Sequence, residues 1–267
     1  MKLDEFKSIL DDPTLIPGIY NYCDRWCERC SMTTRCSVFL ATPKLEPDDF
    51  DTEEAFMEEV FKGVHDSFQL TMELIQESAD EKGIDLTEIE EDPDWKEKRD
   101  NKQSEIKKSP LSSLAWDYAD LARTWLKDIS PSLKDLEANL QQTALMGLPD
   151  RNPEKEAIAI RDAMEVIPWY MHQIYIKLMR AQDGRIEDDA WFEENDFPKD
   201  SDGSARVALI GIDNSIKAWS TMMTHLTQQE DVILPILSKL EHLRGLVERE
   251  FPGARSFKRP GFDVDAK

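Results

Sequence analysis

All four cysteines of the chain lie within fourteen consecutive residues, at Cys23, Cys27, Cys30 and Cys36. The spacing, C-x3-C-x2-C-x5-C, lets four thiolates converge on one point in a loop, and it would place the first three on one face of a helix. Thiolates repel one another unless a cation lies between them, so converging cysteines are typical of metal sites. We therefore predict a metal centre with Cys23, Cys27, Cys30 and Cys36 as its ligands.

Four interpretations of these cysteines remain open. A cubane iron–sulfur cluster is the leading one, because its ligands are often packed closely in sequence. Structural zinc is the alternative, although zinc sites usually separate two short cysteine pairs by a longer loop. Two disulfides would need an oxidising compartment, for which the sequence offers no support. The fourth interpretation is four ordinary buried cysteines.

Three arginines, Arg25, Arg29 and Arg35, lie among these cysteines and form a positive patch in an otherwise acidic chain. A cation beside a thiol favours the thiolate. We therefore expect the arginines to lower the thiol pKa values and to offset the negative charge of a thiolate-rich centre, or to contact a partner.

The first three cysteines, Cys23-x3-Cys27-x2-Cys30, resemble the triad of radical S-adenosylmethionine enzymes. The resemblance implies a cluster with one iron free for the cofactor, on a β/α barrel. It covers eight residues, however, and the chain departs from the pattern. Cys36 offers a fourth ligand, Arg29 stands where an aromatic residue is usual, and no alternation of strands and helices follows. We assign the chain to no family on this motif.

From residue 51 onward, apolar residues recur every three or four positions, which is the period of amphipathic helices. The pattern predicts an all-α protein, an antiparallel bundle of about six helices in residues 51–267, with a charged connection at 84–108. We expect residues 1–50 to form an irregular segment, which contains the four cysteines and packs on this bundle. The predicted helices occupy 51–83, 109–128, 130–146, 152–182, a segment that begins at 202–204 and carries an apolar face as far as Met222, and 229–250. The apolar stripe predicted for the first of them comprises Phe56, Val60, Phe61, Val64, Phe68, Met72 and Ile75.

Two of the predicted helices carry aromatic and histidine side chains that could line a pocket for a ligand or an organic cofactor. The candidate residues are Trp169, His172, Trp219 and His225. Core packing is the simpler interpretation, because such residues at helical spacing are what a bundle interior needs.

The chain has 33 Lys plus Arg against 55 Asp plus Glu, for a net charge of −22. This balance argues against binding nucleic acid or anionic membranes. No stretch of about 18 apolar residues predicts a membrane span, and the N-terminus does not resemble a secretory signal, so we expect a cytoplasmic protein. Acidic loops at 45–54, 88–94 and 187–196 could bind a basic protein partner.

Three functions are compatible with these features. The leading prediction is a metal-binding helical protein whose iron–sulfur cluster serves electron transfer, sensing or structure. The alternative is a zinc-stapled protein-interaction module that acts through its acidic surface. The third is an enzyme that uses the pocket containing Trp169, His172, Trp219 and His225.

Overall fold

The computed structural model describes residues 3–42, 45, 47–88, 93–147, 151–187 and 199–263. Within these ranges the chain forms nine α-helices and no strand, which confirms the prediction of an all-α helical bundle. The helices are α1 (Leu3–Leu10), α2 (Ser37–Ala41), α3 (Glu53–Lys82), α4 (Trp95–Lys108), α5 (Pro110–Asp128), α6 (Ser130–Met146), α7 (Pro153–Glu187), α8 (Asp200–His225) and α9 (Glu230–Glu250).

The chain forms two compact units. Unit 1 comprises Met1–Lys96 together with Pro260–Lys267, and unit 2 comprises Glu97–Arg259. The prediction placed a boundary near residue 50, whereas α3 belongs to the same unit as the cysteines.

Helix ends follow local chemistry. The side chains of Thr52, Ser109 and Asn152 each accept a hydrogen bond from the backbone N–H three residues later, at 3.0–3.1 Å, as N-caps do. Gly83 ends α3 with φ +66°, the left-handed conformation that a glycine adopts without strain. These four residues are where the sequence predicted the corresponding helix ends.

The charged connection predicted at 84–108 is partly helical, and its helix is α4. Its Lys, Glu, Arg and Gln residues have good helix propensity even though they offer little apolar surface. Ile106 is its one buried side chain, so a single apolar residue anchors the C-terminal end of this helix.

In unit 2, α7 and α8 pack antiparallel. Arg180 bonds Asp200, Asn214 donates to the Tyr170 hydroxyl, and His225 lies 3.8 Å from Glu156, so residue numbers rise along α7 as they fall along α8. The two helices approach closely at Gly211. A Cβ there would lie 3.0 Å from the Tyr170 ring, which explains why a glycine occupies this helical position.

The core of unit 2 continues from α8 onto α5. Trp219 is fully buried, packs edge-on against Trp125 with ring centroids 4.7 Å apart, and donates its Nε1–H to the Tyr118 hydroxyl at 3.2 Å. Helix α9 packs against both α5 and α8. Unit 2 therefore has an extensive apolar core of its own.

Unit 1 differs from unit 2 in its interior. Among its described residues only Ile19 and Ala79 are buried. The apolar stripe predicted to pack along α3 is largely exposed: Phe61 and Phe68 keep 66% and 69% of their surface accessible. The helical period was predicted correctly, but the burial of this face was not.

No helix in the described ranges has the length and apolar character needed to cross a membrane.

Candidate metal centre

Three single-turn 3-10 helices position the cysteines. They span Ile19–Tyr22, Cys27–Arg29 and Thr33–Arg35, and each is followed directly by a cysteine with extended backbone: Cys23, Cys30 and Cys36. The fourth cysteine, Cys27, begins the middle turn. A cysteine thus lies at the C-terminal end of each of the three turns.

The link between the first two cysteines makes a sharp bend. Asp24 Oδ1 accepts a hydrogen bond from the Trp26 N–H at 3.2 Å, and Arg25 between them has φ +58°. Arg25 is the one residue other than glycine with a positive φ in the described chain. A left-handed conformation at an arginine stores about 1–2 kcal/mol of strain, so the surrounding turn must hold it in place.

All four cysteines line one cavity of about 30 Å³, and none forms a disulfide. A cavity of this volume accommodates a few water-sized particles. Apolar side chains complete its wall, among them Ile19, Trp26, Met32, Phe39 and Phe262. In the described part of the chain, however, no three His, Cys, Asp or Glu side chains are arranged to hold a metal ion as they stand.

Two sulfur atoms have identifiable hydrogen-bond partners. Cys30 Sγ accepts the backbone N–H of Met32 at 3.3 Å, and the Cys23 thiol donates to the Tyr20 carbonyl at 3.5 Å. Backbone N–H donation stabilises negative charge on sulfur, and such bonds tune cysteine-ligated metal centres. Cys30 Sγ therefore already receives one backbone hydrogen bond of this kind.

The pKa of the Cys27 thiol is shifted upward, opposite to the expected direction. Burial raises its pKa, and the nearby Cys23, Glu28, Cys30 and Cys36 raise the pKa further. The expectation that the arginines lower the thiol pKa is therefore wrong for Cys27.

The positions of two arginines explain this result. The Arg29 guanidinium stacks over the Trp26 ring, 4.0 Å from its centroid, and Arg35 Nε donates to the Thr14 carbonyl at 3.0 Å. Burial and the neighbouring thiols and Glu28 therefore determine the direction in which the pKa of Cys27 shifts. A bound cation would reverse that effect, because it stabilises thiolates directly.

The C-terminal segment of unit 1 closes the cavity. Phe262 lines it, and the preceding Gly261 lies against Ile16 and Ile19. A Cβ on Gly261 would lie 2.7 Å from the Ile16 Cδ1 atom, and its φ of +76° also favours glycine. The glycine was missed, because a single Pro-Gly pair near a chain end has many explanations.

The four residues of the predicted ligand pocket have different surroundings. Trp219 fills the core, His172 is exposed beside Trp116, and Trp169 is half-buried. His225 lies beside Glu156, which is about 24 Å along α7 from His172 at 1.5 Å per residue. The structure does not bring these side chains together.

Comparison of the chain with protein-family models, with curated proteins and with solved structures gives no match. Interpretation of the site therefore depends on its geometry and chemistry.

Proposed function

We propose that the protein is a metal-binding helical protein that holds its metal through Cys23, Cys27, Cys30 and Cys36. One observation carries the proposal: four cysteines that are close in sequence also line one cavity, and none is used in a disulfide. A ligand set of four thiolates suits an iron–sulfur cluster or structural zinc.

The thin interior of unit 1 supports a structural contribution from the metal. With Ile19 and Ala79 as its buried apolar residues in the described ranges, unit 1 gains little free energy from the hydrophobic effect. A unit that buries so few apolar residues needs a further source of stability, and the free energy of metal binding is one such source. Metal binding at the cysteines would thus contribute directly to the folding of this unit.

The iron–sulfur cluster is the leading candidate and zinc the alternative. Close packing of the four cysteines in sequence favours the cluster, whereas the small volume of the cavity favours a single ion. Either centre requires the thiols to rotate about their one side-chain torsion. A cluster would serve electron transfer or sensing in addition to structure.

The first experiment is metal and sulfide analysis, with an absorption spectrum, on the full chain purified without oxygen. Iron with inorganic sulfide and a broad visible band that bleaches on reduction would identify a cluster. One zinc per colourless chain would identify the alternative. Absence of both metals after reconstitution would overturn the proposal.

Cys27→Ser tests the ligand assignment, with Thr34→Ser as its control. Thr34 is exposed in the same segment and does not line the cavity. We expect Cys27→Ser to lose most of the metal and Thr34→Ser to retain it. Equal metal content in both variants would contradict the assignment of Cys27 as a ligand.

A further inference from the structure

Helix α3 carries an apolar stripe that is largely exposed among the described residues of unit 1. The stripe runs over five turns with a spacing of three or four residues, so its members share one face. Its exposure is high at large side chains, 62% at Met72 in addition to the two phenylalanines. The exposed stripe consists of Met57, Phe61, Val64, Phe68, Met72 and Ile75, and it extends about 27 Å along the helix axis. It differs from the predicted stripe by including Met57 and by leaving out Phe56 and Val60, which are half-buried.

A groove runs along one border of the stripe. Gly63, Ser67 and Thr71, three small residues four positions apart, line it together with Val60 and the end of α2 at Thr42. The Ser67 and Thr71 hydroxyls each donate to the backbone carbonyl four residues earlier, at 2.8 Å. The small side chains allow another backbone to approach, and their hydroxyls already have acceptors.

Carboxylates lie along the other border. Glu58 and Glu73 each follow a stripe residue directly, so each is turned about 100° from that residue, and both are exposed. Lys62 and His65 lie on the same side of the helix. Over its length α3 carries nine acidic residues against two lysines. One of those lysines, Lys62, is paired with Glu59 at 2.9 Å. Glu77 is paired with Lys7 of α1, and α3 as a whole keeps a net charge of 2 − 9 = −7.

This charge decides between three possible occupants. A second copy would bring two strongly acidic helices side by side, which repel each other. A membrane surface attracts helices with Lys and Arg beside the apolar face, and anionic lipids would repel α3. A helix with an apolar face and basic flanks is complementary to α3 both in hydrophobicity and in charge.

We propose that the apolar stripe of α3 binds a basic amphipathic helix of another protein. The partner lays its apolar face along the stripe and its groove, and its Lys or Arg residues meet the carboxylates on the outer border. This mode of recognition uses anchors at positions i, i+4, i+7 and i+11 of the partner. No cysteine lies in the stripe, so the partner and the metal would be held by different residues of unit 1.

The proposal can be tested with a synthetic peptide of about 18 residues, long enough to cover the stripe. The peptide carries Leu at the four anchor positions and Lys on both flanks, and its binding to the full chain is followed by fluorescence anisotropy. A peptide of the same composition with scrambled order is the ligand control. We expect saturable 1:1 binding of the first peptide, weakened by salt, and at least about tenfold weaker binding of the scrambled one.

The protein variant is Phe61→Ala combined with Phe68→Ala, and its control is Leu145→Ala, an exposed apolar residue on α6. We expect the double variant to weaken peptide binding about tenfold or more and the control to leave it unchanged. Glu58→Gln with Glu73→Gln should weaken binding severalfold and reduce its salt dependence, compared with Glu105→Gln on α4.

Several results would overturn the proposal. Equal affinity for the ordered and scrambled peptides would mean unspecific charge attraction, and lack of binding would mean that the stripe is not a docking site. A large fall in Tm of the double alanine variant would mean that the stripe is packed within the chain. Concentration-dependent dimers that this variant abolishes would identify a second copy as the occupant.

Discussion

Phe262 and Cys27 line one cavity, although they come from opposite ends of the described chain. The contact of Gly261 with Ile16 and Ile19 brings the phenylalanine there. Closure of the candidate metal centre therefore depends on a segment remote in sequence as well as on the local turns that deliver the cysteines.

Gly261→Ala should loosen this closure. The new Cβ would clash with Ile16 and Ile19, and the positive φ adds strain of about 1 kcal/mol or more. We expect metal transfer to a chelator to become about tenfold faster, since local opening becomes easier. Gly147→Ala is the matched control, because Gly147 also has a positive φ but has open space around it. Similar acceleration in both variants would show that the contact of Gly261 is irrelevant to closure.

Arg25 allows backbone geometry to be separated from charge. Arg25→Gly relieves the left-handed strain and should preserve metal content, whereas Arg25→Val should cost about 1–2 kcal/mol and lower metal occupancy. Metal content and Tm report both effects. Arg25→Lys keeps the charge and supplies the comparison. Loss of metal in the glycine variant together with retention in the lysine variant would mean that charge, rather than backbone, is what the site requires.

Removal of the metal should unfold the two units unequally. A strong chelator is expected to make the backbone amides of residues 3–88 exchange rapidly with solvent, because unit 1 has few buried residues. Amides in α5, α7 and α8 should remain protected by the core of unit 2. Hydrogen exchange followed by mass spectrometry checks this. Uniform loss of protection in both units, or no change in unit 1, would contradict the expected role of the metal.

Local chemistry made much of the fold predictable. Ser109 and Asn152 before prolines, and Gly83 after a helical period, marked helix ends that the structure confirms. Each of these features is determined by a few neighbouring residues, so a single sequence carries the information.

Features that depend on distant partners were not predictable in the same way. The period of α3 indicates a helix, but it does not reveal whether anything covers Phe61 or Phe68. The 3-10 turns around the cysteines are too short to show a period, and an arginine at position 25 gives no sign of a positive φ. The choice of Cys23, Cys27, Cys30 and Cys36 as ligands remains a prediction that metal analysis must test.

Tyr118 provides a test of the core of unit 2 by pH. Burial raises its pKa from 10.0 to about 12, and the hydrogen bond from Trp219 and the nearby Ser215 hydroxyl lower it only in part. Above pH 10 the unfolded chain loses this proton while the folded chain keeps it. Stability should therefore fall, by up to about 2–3 kcal/mol, as the pH rises from 10 to 12.

Urea denaturation at pH 8 and pH 11 of the native chain and of Tyr118→Phe measures this effect. The variant should be about 1 kcal/mol less stable at pH 8, because Trp219 loses its acceptor, and its stability should fall less between the two pH values. Tyr175→Phe controls for the loss of a tyrosine that is not fully buried. Parallel pH dependence in the native chain and Tyr118→Phe would refute the assigned role of the buried hydroxyl.

The contrast between the cores of the two units has a consequence for the lifetime of the chain. Proteases cleave segments that open, and their rate follows the population of the open form. If the metal supplies most of the free energy that keeps unit 1 closed, a chain that lacks it would be trimmed back toward the helices of unit 2. The abundance of the intact polypeptide would then follow the supply of metal during its synthesis, without any change in its gene expression.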